Sequence, residues 1–349
     1  MKISFSRPSL AIAVGSALLL TACGGGGSGT TGSTSGPPPS DSTTVTAVAI
    51  NSANSKDVSA QVYYASQGLN NQVVTTPSLV TAVDTSGNSN SLLDTALRQI
   101  YFALEHQPAS MAVGVTTTET VPCSGGGNAT ITANVADTST VISGDRLAVN
   151  FGNCVEGMTK IDGTMDMLFN SITGTPSATS VWSAALGLTF SNFTVTESFT
   201  GVSNTATGDL ALTYNQSSLN NASFSGSGNS LRMRILAGTS TTDYTLSAYN
   251  YSGSVTPPNL YTYRANFTLS GNFPRLGSTS YVVHTTTDFK QQRGAYPSQG
   301  VMTVTASDNS SLKFTVVDPT FVQLGLDKNG DATVDTTIST TWSELNALF

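Results

Sequence analysis

From about Val113 to the end of the chain, apolar and polar residues alternate with a period of two. Leu147, Val149 and Phe151 are separated by Ala148 and Asn150. Met165, Met167 and Phe169 repeat the pattern, as do Leu186, Leu188 and Phe190. It continues through Leu210, Leu212 and Tyr214, then Leu231, Met233 and Ile235, then Tyr261, Tyr263, Ala265, Phe267 and Leu269, and ends on Ala332, Val334 and Ile338. A period of two gives a strand one apolar and one wet face, the habit of antiparallel sheets. Between Phe190 and Phe193 the parity flips at Ser191-Asn192. A one-residue slip turns every side chain over, so that pair marks a bulge or a tight turn. Gly226-Ser227-Gly228, Pro257-Pro258-Asn259, Asp308-Asn309 and Asn329-Gly330 read as turns between strands. The pattern predicts a mainly β domain over 113–349, a long antiparallel meander of roughly a dozen strands curled into a sandwich, a half-barrel or an open barrel.

The segment 45–112 has a different period. Val45 to Ile50 reads as a short strand. Asp57 is placed to cap a first helix carrying Val58, Val62, Ala65 and Leu69. A second helix follows Ser91-Leu92-Leu93-Asp94, which has the form of a capping box. Its Leu93, Leu97, Ile100 and Leu104 recur at i, i+4, i+7 and i+11 as one apolar stripe. Asp94 and Arg98 form an i,i+4 pair, and Pro108 stops the helix. A stripe of this width is expected to pack on the protein's own sheet. The fold expected is therefore one or two N-terminal helices packed on the meander.

The start of the chain is of a third kind. Lys2 and Arg7 precede an eleven-residue apolar run, Leu10 to Leu20. A helix across a bilayer needs roughly 20 apolar residues, so this run has the length of a secretory signal core. It ends in Leu20-Thr21-Ala22-Cys23, which resembles the lipobox of bacterial lipoproteins. That resemblance implies a signal peptide over 1–22, cleavage before Cys23 and acylation of Cys23. Membrane lipid and the lipoprotein maturation and sorting machinery are then its implied partners. Acyl chains bury about 0.8 kcal/mol per CH₂, and several together anchor stably. Gly24 stands where aspartate tends to retain such proteins in the inner membrane, so the resemblance implies the outer membrane. Residues 23–44 are Gly, Ser, Thr and Pro with little else. This composition cannot bury apolar surface and reads as a tether, about 21 residues beyond the cysteine with a mean reach of roughly 25 Å.

Charge narrows the field. Lys and Arg number 14 against 21 Asp and Glu, and losing Lys2 and Arg7 moves the formal net charge from −7 to −9. Nucleic-acid binding needs a basic surface and is disfavoured. Charged residues make up 10% of the chain, against about 25% in ordinary globular domains. Ser, Thr and Asn must carry solubility, as they do on the wet faces and turns of β proteins.

Cys123 and Cys154 are the other two cysteines. Outside the inner membrane they should be oxidised, and a hairpin built from Thr130–Val135 and Arg146–Phe151 would bring them together. Asp327, Asn329, Asp331 and Asp335 place oxygen side chains at alternate positions, similar to the short calcium loops of dockerins and thrombospondin repeats. The plainer reading is a type I′ hairpin at Asn329-Gly330. Calcium is the one cofactor with any support, and otherwise none is expected. Seven of the eleven tyrosines lie between Tyr244 and Tyr296. Tyr249 and Tyr251 share one strand face, Tyr261 and Tyr263 another; they are core, or an exposed strip on which a sugar ring stacks. His106 ends a helix and His284 sits in a strand, neither with a nucleophile or metal-ligand partner at recognised spacing. No H-E-x-x-H, G-x-S-x-G or phosphate-cradling loop occurs, so no catalytic residue is assigned. Cys123, Asn153-Cys154, the Asp327 to Asp335 turn and Trp342 together resemble β-rich envelope lipoproteins of Gram-negative bacteria, a family resemblance that implies location and fold but no activity. The expected role is a lipid-anchored outer-membrane protein with a non-catalytic binding or structural function. The alternatives are a membrane-associated β-barrel, weakly suggested by Leu345, Ala347 and terminal Phe349, and a carbohydrate-binding or hydrolytic surface protein.

Overall fold

The computed structural model describes residues 48–70, 92–106, 116–136, 141–176, 180–218, 221–292 and 294–348. Fourteen strands form a single antiparallel sheet in which every strand pairs with its neighbours in sequence. The first four are β1 (Thr117–Pro122), β2 (Asn128–Asn134), β3 (Arg146–Glu156) and β4 (Thr159–Thr173). The long central strands are β5 (Trp182–Glu197), β6 (Ser203–Ser218), β7 (Asn221–Ala237), β8 (Ser240–Thr256), β9 (Leu260–Phe273) and β10 (Gly277–Gln292). The sheet closes with β11 (Gln299–Ala306), β12 (Ser311–Val316), β13 (Phe321–Asp327) and β14 (Thr336–Thr341). β1 and β14 are its two edges, so the sheet is open.

The alternation legible in the sequence is the burial pattern. On β9, Tyr261, Tyr263, Ala265, Phe267 and Leu269 are all buried. Between them Thr262, Arg264, Asn266 and Thr268 face out. Among the described residues, three helices cover the apolar face: α1 (Ser55–Asn70), α2 (Leu92–Glu105) and a short α3 (Trp342–Asn346). The helices divide it. In α2, Tyr101 meets Trp182 of β5 at 5.8 Å, and Phe102 meets Phe151 of β3 at 6.2 Å. In α1, Tyr63 stacks on Phe314 of β12 at 5.9 Å and lies 6.1 Å from Phe289 of β10. Helix α1 touches β8, β9 and β13. Strands lie about 4.8 Å apart, so β8 to β13 laid flat would span roughly 24 Å, twice the width of a helix. The sheet must curl around α1. Of the architectures the pattern left open, the single open sheet is not a two-sheet sandwich, and its curl over β8 to β13 fits a half-barrel or an open barrel.

Helix α1 is enclosed over most of its surface, with Lys56, Asp57 and Tyr64 half-buried. Val58, Ala60, Val62 and Ala65 are buried, and so are Ser55, Ser59, Gln61, Ser66 and Gln67. The helix tolerates this because its polar side chains find local partners. Ser59 Oγ donates to Ser55 O at 2.7 Å and Ser66 Oγ to Tyr63 O at 2.6 Å. Its start is set three residues before the expected cap. The Asn51 side chain accepts from Ala53 N at 2.8 Å, and Val58 N bonds Asn54 O at 2.9 Å. Asp57 lies instead in the first turn, 3.6 Å from Arg275. In α2, Leu97 and Ile100 of the expected stripe are buried and Leu104 is half-buried. The side chains of Leu93 and Asp94, together with Ser91 and Pro108, lie outside the described residues.

Several sequence expectations need correction. Residues 48–50 are irregular rather than a strand, and Ile50 N is held by Ser310 Oγ at 2.8 Å. Gly226-Ser227-Gly228 is no turn and lies inside β7. Its glycines make room for neighbouring rings: a Cβ on Gly226 would sit 2.3 Å from Tyr251 Cζ, and one on Gly228 2.3 Å from the Tyr249 hydroxyl. The parity flip at Ser191-Asn192 is a bulge within β5. Asn192 has φ 48°, and the register with β6 shifts between Phe190 and Phe193. Gly163 of β4 faces the bulge at φ +92°, where an added Cβ would meet Asn192 O at 2.2 Å. Leu345 and Ala347 do not extend a final strand. Leu345 is buried in α3, which Thr341 caps by accepting from Glu344 N.

Candidate functional site

The site residues singled out in the sequence fall in four places, and Cys23 lies outside the described residues. Cys123 and Cys154 form a disulfide with Cα atoms 5.4 Å apart. It ties the β1–β2 turn to β3, whose pairing with β2 aligns Asn128 with Gly152. Beside it the Glu156 carboxylate accepts from Ser124 N at 2.8 Å and Ser124 Oγ at 2.6 Å. Among the described residues, these three side chains are the one group of His, Cys, Asp and Glu whose ligand atoms lie within 4.8 Å of one another. The two sulfurs are already joined, so this cluster is structural.

The acidic segment is neither a two-residue hairpin nor a gathered set of carboxylates. The β13–β14 ladder starts at Leu326 and Thr336, so that beyond Asp327, the last residue of β13, Lys328 to Asp335 form a loop. A type I′ turn needs positive φ at both central residues. Here Gly330 (φ 75°) and Ala332 (φ 67°) have it. Ala332 and Val334, expected on the apolar face, are exposed in this loop. Buried Asp327 organises it. One carboxylate oxygen accepts from Gly330 N at 2.7 Å and Asn329 N at 3.3 Å, the other from Ala332 N at 2.8 Å. Asp335 accepts from Lys328 N at 2.8 Å and Asp331 from Thr333 N at 2.8 Å. The carboxylates are spent on backbone donors, each closing its own part of the loop.

The four tyrosines read as core or as a ligand strip are all on the enclosed face. Tyr249, Tyr251, Tyr261 and Tyr263 are 1%, 2%, 4% and 5% exposed. Their strands alternate as read, but the face they share is the one that α1 covers, so a sugar in solvent cannot reach them. Tyr263 stacks on Phe289 at 5.3 Å and accepts from Gln67 Nε2 at 2.7 Å. Its hydroxyl lies 3.4 Å from that of Tyr63. Tyr249 donates to the backbone oxygen of Asp209. Burial pushes the Tyr63, Tyr251 and Tyr263 phenols well above the ordinary tyrosine value. They stay protonated and serve as packing and hydrogen-bonding groups.

Both histidines are exposed. His106 stacks on Phe102 at 4.5 Å, with Nδ1 2.9 Å from Phe102 O. His284 faces outward from β10.

Sequence reading missed a groove on the opposite, outward face. Two adjoining hollows of about 370 and 350 Å³ share Thr213, Ser225 and Ser252. At one side the larger hollow reaches Arg264 and Asp288, paired at 2.7 Å through Arg264 Nε. Hydroxyl groups beside one ion pair, with Phe224 and Tyr263 behind them, make a surface suited to neutral hydrogen-bonding ligands. Its Thr213, Ser223, Ser225 and Ser252 occupy strand positions between buried ones, so their outward direction was legible; the hollow itself depends on the twist of the assembled sheet. No family model, curated protein or solved structure matches this chain.

Proposed function

We propose that this chain is a lipid-anchored outer-membrane protein whose folded part is a non-catalytic binding or structural module. Its anchor would be Cys23 in Leu20-Thr21-Ala22-Cys23, followed by the Gly/Ser/Pro tether. The observation that carries the non-catalytic half is the enclosure of α1. Where a half-barrel would offer a substrate cavity, Val58, Val62 and Tyr63 fill the space against Phe289, Phe314 and Trp342. Chemistry is left to the outside, where the 370 Å³ groove is lined mainly by Ser, Thr and Asn, with Phe224, Tyr263 and the Arg264–Asp288 pair. Polar outward positions such as Thr262, Arg264 and Asn266 also stand against a bilayer-spanning barrel, which needs an outward apolar band.

Globomycin treatment or Cys23→Ala should block maturation and release the protein from the membrane fraction. A Cys23→Ala protein that is processed and stays in that fraction would overturn the anchor. A glycan array probed with the full chain carrying Cys23→Ala separates the remaining halves: retention of any polysaccharide favours binding, and none favours a structural role.

A further inference from the structure

In an up-and-down meander every second turn lies at the same end of the sheet. The turns after β3, β5, β7, β9 and β11 therefore share one end. Phe199, in the turn after β5, is 88% exposed. No other large apolar side chain among the described residues is more than 64% exposed. Met158, in the turn after β3, is 46% exposed, and Ser198 N bonds Met158 O at 2.9 Å, so the two turns are joined. Leu236, at the end of β7, pairs with Ser203 beside them and is 38% exposed. Of the charges nearest this tip, Lys160 lies 3.3 Å from Asp162, while Glu197 and Glu156 accept from Thr200 Oγ1 at 3.0 Å and Ser124 Oγ at 2.6 Å.

The chain enters the fold at this same end. Ile50 N is bonded to Ser310 Oγ, just past the turn after β11, and Asp57 lies 3.6 Å from Arg275 in the turn after β9. The stretch from Cys23 to Ala47 precedes this point. Fully extended it would span at most about 90 Å, and as a coil far less. An acylated Cys23 would thus hold this end toward the lipid.

We infer that Phe199 and Met158 form a membrane-seating tip that enters the interfacial zone of the bilayer to which Cys23 is anchored. The inference rests on the lipid-anchor reading. Two side chains alone would bind a bilayer weakly, but the tether raises their effective concentration at the surface. The occupant is the lipid surface, because Phe199 and Met158 are exposed apolar side chains and the tip lies at the end where the described chain enters the fold.

The test uses the full lipidated chain reconstituted in phosphatidylcholine vesicles. The protein's own Trp182 and Trp342 are each 2% exposed, so their emission is a constant background. In Phe199→Trp the new indole should emit at shorter wavelength than in detergent-free water and be quenched by acyl-chain-brominated phosphatidylcholine. Val317→Trp, at the opposite end where Val317 is 57% exposed, should show neither effect. An unshifted, unquenched indole in lipidated Phe199→Trp overturns the tip while leaving the anchor intact, and so does equal quenching at both ends. A chain that carries no lipid on Cys23 and stays out of the vesicles overturns the anchor, and the tip with it.

Discussion

Gly226 of β7 lies directly under the phenol of Tyr251 on β8, so close that a single added carbon would fall 2.3 Å from the ring. The backbone there is an ordinary strand, and the glycine is needed for space. Gly226→Ala should therefore destabilise by overpacking, by about 1–3 kcal/mol. Ser225→Ala, on the exposed outward face next to it, should change stability by less than about 0.5 kcal/mol. Urea unfolding midpoints decide, and shrinking the ring in Gly226→Ala/Tyr251→Val should recover part of the loss if the clash is the cause.

The Cys123–Cys154 bridge closes 31 residues of sequence separation at the β1 edge of the sheet. In the chain-entropy account, removing it frees the unfolded chain and costs about 3–4 kcal/mol. Cys123→Ser/Cys154→Ser should show that loss in urea. Wild-type protein unfolded with and without reductant should reproduce it, and equal midpoints would refute it.

How far such features were legible depended on whether they were local. Alternation is a local property, so the inward positions from Leu147 to Leu269 could be read directly, as could the bridge that needs only a hairpin. Gly226-Ser227-Gly228 could not. Its meaning depends on Tyr249 and Tyr251, which lie across the ladder and outside any sequence window. The tyrosines left a choice for the same reason: periodicity says that they share a face, but not whether that face is core or a ligand strip, and their burial makes it core. In the acidic segment a short hairpin was read from Asn329-Gly330 alone, and the longer loop that Asp327 closes through its own backbone amides was not visible in that pair.

That loop yields the third prediction. Asp327 is buried and accepts from three backbone N–H groups. Asp327→Ala orphans them and should cost about 1–3 kcal/mol. Asp331→Ala, at an exposed position, should cost less than about 0.5 kcal/mol. Calcium at millimolar concentration should leave the melting temperature unchanged, since the carboxylate oxygens are already engaged by amides. A calcium-dependent rise that Asp331→Ala abolishes would instead reveal a cation site.

The fourth prediction concerns pH, through the contact that fastens α3 to α1. Glu344 Oε2 lies 2.8 Å from Lys56 Nζ and accepts from Thr340 Oγ1 at 2.6 Å. The Lys56 hydrogen bond, then Thr340, hold its carboxyl down at about 2, against an ordinary 4.5. With the folded value below the unfolded one, the unfolded chain takes up the proton first, and stability rises with pH across that interval. The contribution is complete above pH 4.5 and is lost as pH falls toward 2. Both side chains are open to water, at 38% and 53% exposure, so salt should screen the effect. Glu344→Gln should flatten this part of the melting-temperature profile relative to wild type, most clearly at low ionic strength. Lys56→Met should flatten it less, because Thr340 still holds the carboxylate. Other carboxylates titrate in both proteins, so the difference between the profiles carries the information. Identical profiles for wild type and Glu344→Gln between pH 2 and 4.5 would mean that this contact does not couple the C-terminal helix to the protonation of the fold.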